Sequence, residues 1–216
     1  MIAHTDKGNS LVILPIKQYY SKITDFIWAN NFQTTERDPT KTFQSQVRKV
    51  VTDSKTLIPQ EIRWKYVNMN PMAPTIKGLI KMHKPEHPIW PVVNWRGAPA
   101  YKLARLFTQK IKQLAPLPNG RNVDNTRDVI KKLNNTPILT HFTLASLDIT
   151  NLYMNISVAE TWNIISNTLK ENLLDPQTQQ ALLNLYDVIT QQNYSQSAMK
   201  SWYRETDWQW ARQHPT

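Results

Sequence analysis

Between Pro71 and Pro99 the chain cannot be an ordinary helix. Pro71, Pro74, Pro85, Pro88, Pro91 and Pro99 follow one another too closely. Each removes a backbone donor and crowds the turn before it. The stretch therefore reads as an extended, hairpin-like segment carrying basic side chains. On either side the spacing changes to that of helices. Leu103, Leu106, Phe107, Ile111 and Leu114 make one apolar stripe, which predicts a helix over Tyr101 to Leu114. Lys102, Arg105, Lys112 and Gln113 lie largely off that stripe. A short helix is expected near Arg127 to Leu133, capped by Asn125 or Thr126. Ser157 followed by Glu160 has the form of a capping box and opens a helix through about Leu174. Leu182, Leu185 and Ile189 mark another helix, from about Gln177 to Gln192. Strands are expected at Leu11 to Leu14, buried and entered by a turn at Gly8-Asn9, and at Phe142 to Asp148. Residues 17 to 65 are polar and mixed, with weak helical periodicity punctuated by Pro59. The expected fold class is α+β.

Charge narrows the partners. The chain carries a formal net charge of +10. Residues 63 to 132 hold 14 of the 26 Lys and Arg, against three acids. From Asp148 onward the balance reverses, with 4 basic and 7 acidic residues. The positive field thus belongs to one segment, which points to a polyanion, with nucleic acid the commonest. On charge alone a solvated surface is the rival reading. The absence of cysteine excludes disulfides and cysteine zinc sites. No signal peptide or bilayer-spanning run is found, so a soluble, intracellular protein is expected, nuclear or cytoplasmic.

Asp148 closes the apolar run Phe142 to Asp148, ahead of a turn and the capped helix. Such a carboxylate suits a hard divalent cation, because Mg²⁺ takes oxygen ligands and binds through one or two carboxylates plus substrate phosphates. On spacing alone a single Asp at a strand end is more often a cap or turn residue. The neighbouring letters add to this. Leu144-Ala-Ser-Leu-Asp-Ile-Thr-Asn-Leu-Tyr-Met-Asn-Ile156 resembles the first palm motif of reverse transcriptases, in the form carried by Penelope-like retroelements. Thr5-Asp-Lys-Gly-Asn-Ser-Leu-Val-Ile-Leu14 resembles that family's A-D-K-G-N-S-hydrophobic run. Gly78-Leu-Ile-Lys-Met-His-Lys-Pro85 resembles its G-L-P-K-I-H-K-P. Pro88-Ile-Trp-Pro-Val-Val-Asn94, then Gly97-Ala-Pro-Ala-Tyr-Lys-Leu-Ala104, is similar to P-L-R-P-I-V-S and G-S-P-T-Y-x-L-A.

The resemblance implies the fingers and first part of a right-hand polymerase palm. It implies RNA-directed DNA synthesis from deoxynucleoside triphosphates, with an RNA template, a DNA primer and Mg²⁺. Asp148 matches the catalytic, metal-binding aspartate. Tyr153 matches the aromatic that blocks a ribose 2′-OH, and it also reads as a core aromatic. Lys81 and Lys84 match basic finger residues near template or triphosphate; without the resemblance they read equally as the solvated edge of a basic loop. Arg96, in the same basic stretch, is placed with them.

Departures from the family pattern set the expectation for this chain. The family's arginine in R-P-I-V falls on Trp90, which cannot offer a bidentate fork to a phosphate. No Asp-Asp pair occurs in the 216 residues, so the family's second metal-binding cluster is missing. From Ser195 the tail carries Trp202, Trp208 and Trp210 with little periodicity. Back-translated one frame over, Asp207 to Ala211 forces Leu, Ala, Met or Val, and Gly, and ordinary codon choices let the end read G-L-A-M-G-A-P-T-S, which resembles the family's next motif. A frameshift between about Gln192 and Ser197 is therefore expected, with a non-homologous, disordered tail after it. Residues 1–70 are expected to be a finger-associated segment, 71–140 basic fingers, 141–194 a partial palm and 195–216 the tail. The expected protein is a truncated reverse transcriptase, inactive alone. The alternatives are a non-catalytic basic nucleic-acid-binding module and a decayed reading frame with no role.

Overall fold

A computed structural model describes residues 1–30, 32–116, 123, 125–137, 145–147, 149, 156–196 and, as backbone, 202–205. The architecture is mixed helix and strand. Its strands are β1 (Ile2–His4), β2 (Leu11–Ile13), β3 (Phe32–Thr35), β4 (Thr75–Ile80), β5 (Ile89–Asn94), β6 (Tyr194–Gln196) and β7 (Trp202–Glu205). Its helices are α1 (Ile16–Ala29), α2 (Thr40–Asp53), α3 (Tyr101–Leu114), α4 (Thr126–Asn134), α5 (Val158–Glu171) and α6 (Pro176–Thr190), with a 3-10 helix at Gln60–Tyr66. β1 and β2 form a hairpin, and the larger sheet runs β3-β7-β6-β4-β5.

Two apolar cores hold these elements. The first is helical and joins Val47, Ile58, Leu103, Leu169, Leu182 and Leu185. Here the α3 stripe is buried at Leu103 and Leu106, with Phe107, Ile111 and Leu114 packed against it. The second packs Tyr19, Ile23 and Ile27 of α1 onto Ile76 and Ile80 of β4. The spacing i, i+4, i+8 on α1 and i, i+4 on β4 puts each set on one face.

The proline-rich stretch is a hairpin, as its sequence indicates. β4 and β5 pair antiparallel, with Gly78 opposite Pro91. The side of β4 away from β5 is satisfied piecemeal. The Gln196 N–H donates to the Pro74 carbonyl (2.7 Å) and the Asp6 N–H to the Ile80 carbonyl (3.0 Å). Between them the buried Tyr19 hydroxyl accepts from the Gly78 N–H at 2.7 Å and donates to its carbonyl at 3.3 Å. Gly78 therefore bonds away from β5, and Pro91 opposite it needs no N–H for the ladder. Pro91 instead blunts the outer edge of the sheet.

Helix ends follow local chemistry. Asn125 Oδ1 accepts from the Asp128 N–H at 3.1 Å, and Ser157 Oγ from the Glu160 N–H at 3.2 Å. α5 stops at Glu171, short of Leu174, because Leu173 takes a left-handed φ of 54°. The Leu174 N–H then reaches back to the Leu169 carbonyl, closing a Schellman-type end.

Three expectations need correction or placement. The strand Leu11–Ile13 exists, but Leu11 and Ile13 are exposed and only Val12 and Leu14 turn toward the core; a two-stranded ribbon buries one face only. Of the expected strand 142–148, residues 145–147 are described, carry no strand and are exposed, with Leu147 at 95%. Its apolar positions 142, 144 and 147 break the period of two that a half-buried strand requires. The tail boundary expected at Ser195 falls inside β6, where Tyr194 and Ser195 are buried. Thr40 and Tyr194 join hydroxyls at 2.8 Å, and Phe43 lies 5.0 Å from the Tyr194 ring. Residues 206–216 lie outside the described residues.

Candidate nucleic-acid interface

The tip of the β4–β5 hairpin is a basic loop with a fixed backbone. The Lys81 N–H donates to the Pro88 carbonyl at 2.9 Å, closing the loop, and the His87 N–H donates to Lys84 at 3.2 Å. Glu86 and His87 take left-handed φ values of 63° and 46°. Lys22 of α1 reaches across to the Glu86 carbonyl at 2.9 Å. Lys84, His83 and His87 are exposed there. Lys81 is half-buried, and its ammonium lies 4.0 Å from the centroid of the Trp90 ring.

A second turn comes to the same end. Thr5 forms a bridge with Ile80. Its hydroxyl hydrogen-bonds the Lys7 carbonyl at 2.7 Å and receives the Ser10 N–H at 3.2 Å. The turn needs Gly8 at φ 82° and Asn9 at φ 53°, a conformation open to glycine and tolerated by asparagine. Lys7 is exposed at its crest. The turn and the tip thus share one end of the hairpin and gather Lys7, Lys81 and Lys84 there.

Arg96 is elsewhere. It is exposed just past the other end of β5. Six residues of β5, at about 3.3 Å each, separate the two ends by roughly 17 Å. The sequence-derived candidates therefore fall into two places. Asp148 and Tyr153 lie outside the described residues.

Near Arg96 is an open groove of about 740 Å³ between the 3-10 helix, the chain after β5 and the outer side of α3. Its lining includes Lys65, Tyr66, Trp95, Tyr101, Arg105 and Lys112, and contains no carboxylate. Tyr101, Arg105 and Lys112 follow i, i+4, i+11, one stripe of the helix. Trp95 and Tyr101 meet edge to face, with ring centroids 6.4 Å apart. Both are half-buried, and Trp95 and Tyr66 also pack on the helical core. The Lys102 ammonium donates to the Val67 carbonyl at 3.3 Å, so Lys102 secures the wall rather than offering a free charge.

Sequence reasoning passed over the groove. Its signal was present in the alternation of basic and aromatic residues at 64–66, 95–96 and 101–105. That signal shows only once α3 and the 3-10 helix are side by side. Among the described residues, no three His, Asp or Glu side chains gather to hold a metal ion. No described helix is long and apolar enough to cross a membrane. No protein-family model, curated protein or solved structure matches the chain significantly.

Proposed function

We propose that this chain is the fingers and first part of the palm of a reverse-transcriptase-like polymerase resembling those of Penelope-like retroelements. Its activity as it stands is nucleic-acid binding rather than DNA synthesis. The observation that supports this reading is the meeting of Thr5 with Ile80. It brings the Thr5–Leu14 block against the Gly78–Pro85 block. The Pro88–Asn94 block is paired to the latter along the hairpin, and the Gly97–Ala104 block leads into α3. Stretches distant in sequence that carry one resemblance make one connected, basic body.

In this reading Lys81, Lys84 and Arg96 contact template or triphosphate as point charges, which needs only position and sign. Asp148 is the ligand for Mg²⁺, which when bound would neutralise phosphate charge. Tyr153 discriminates against a ribose 2′-OH. DNA synthesis needs a second metal-binding cluster, and no Asp-Asp pair is present. Primer extension on an RNA template with deoxynucleoside triphosphates and Mg²⁺ tests this. No product is expected from a preparation that retains labelled nucleic acid on a filter. Extension would overturn the loss of synthesis, and absence of any retention would favour a decayed reading frame.

A further inference from the structure

We infer that the groove between the 3-10 helix and α3 is a separate binding site for single-stranded nucleic acid. The inference rests on the nucleic-acid-binding reading above and deepens it, by naming the form of nucleic acid and its seat.

Two independent features of the lining carry it. The first is charge. Lys65, Arg105 and Lys112 border the groove and no acid does. All three are exposed, and no carboxylate lines the groove beside them, so a phosphate chain meets these cations at the surface. Tyr101 to Lys112 cover about 16 Å of helix axis, a track along which a backbone can run. The second is the aromatic wall. Tyr66, Trp95 and Tyr101 are half-buried. Each is anchored on one side by packing or by its ring neighbour. Anchored rings beside a positive track suit unpaired bases, because every base has a face to stack. Paired bases hide those faces in the helix stack, so duplex gains only from the cations.

The site is distinct from the hairpin tip. Lys81 and Lys84 lie at the far end of β5, and no tip residue lines the groove. A free anion would meet only the cations and leave the open faces of these rings unused.

The test uses the full chain and a labelled twelve-nucleotide oligothymidine, an unstructured RNA of the same length, and a duplex. Binding is followed by fluorescence anisotropy at several salt concentrations. The groove variant is Lys65→Ala/Arg105→Ala/Lys112→Ala, and the tip variant is Lys81→Ala/Lys84→Ala. The groove variant is expected to bind either single strand at least tenfold more weakly. Its log–log salt slope should fall by about 2, from three lost contacts at roughly 0.7 each. The tip variant should weaken single strand and duplex alike, as the loss of sequence-blind phosphate contacts requires, and should cost the single strand less than the groove variant does. Wild-type preference for duplex, or a groove variant that binds single strands like wild type, overturns the inference while leaving nucleic-acid binding intact. A wild type that binds neither form overturns the function itself. If the groove variant melts early, cross-linking of a 5-iodouridine oligonucleotide to the wild-type chain decides. Adducts on Tyr66, Trp95 or Tyr101 support the site, and adducts confined to the hairpin tip refute it.

Discussion

The Lys81 ammonium lies over the Trp90 indole, 4.0 Å from its centroid. Trp90 faces Leu79 across the ladder, so Lys81 is its diagonal neighbour on the same face of the hairpin. The negative face of the ring holds the cation. A lysine held in this way is a fixed charge, but Trp90 itself contributes none. Trp90→Arg places a second cation there and releases Lys81. The variant should bind nucleic acid more tightly at low salt, with a log–log salt slope steeper by about 0.7–0.9 for one added phosphate contact. Anisotropy titrations over a salt series measure this, and an unchanged slope would count against the tip as a binding surface.

The Tyr19 hydroxyl serves both polar groups of Gly78. Tyr19→Phe removes it from a buried position and leaves the Gly78 N–H and carbonyl unpaired. The expected loss is about 1–3 kcal/mol. Urea unfolding should show a lower midpoint with the slope unchanged.

Leu173 is 90% exposed and holds a φ of 54°. Its side chain contributes little packing and bears the left-handed strain that glycine avoids. Leu173→Gly should stabilise the chain by about 0.5–1 kcal/mol, once the greater freedom of glycine in the unfolded chain is subtracted. A lower melting temperature for the variant would contradict the assigned turn.

Burial pushes the Tyr194 phenol up to about 12 from an ordinary value of 10.0, against the opposing hydrogen bond from Thr40. Below pH 10 the phenol is protonated in both folded and unfolded chains, and its contribution is fully present. Between pH 10 and about 12 the unfolded chain releases the proton first, so stability falls. Tyr194→Phe cannot ionise. Between pH 8 and 11 the wild type should therefore lose more stability than the variant, as read from urea midpoints.

Much of the fold was legible where spacing is local. The α3 stripe from Leu103 to Leu114, the caps at Asn125 and Ser157, and the proline-bounded hairpin all depend on neighbours within a few residues. What could not be read depends on distant partners. Gln196 pairs with Thr75, and Tyr194 finds Thr40. Nothing in Tyr194-Ser-Gln alone marks it as the strand that covers β4. Leu11 and Ile13 look like core residues in a string, but a two-stranded hairpin has a wet face. Of the candidate site residues, Lys81, Lys84 and Arg96 were visible as a basic run. Their division between the two ends of β5 was not, because charge density carries no direction. The groove needed Lys65, Trp95 and Arg105 together, and these belong to three elements that only packing brings side by side.

The most direct test of the central claim is the affinity of the purified chain for a short RNA and a short DNA, measured from low to high salt. Binding is expected at low salt, with little sequence preference and a log–log slope of several units, as a basic body of this kind requires. Binding that is absent at low salt, or unchanged as salt rises, would contradict it.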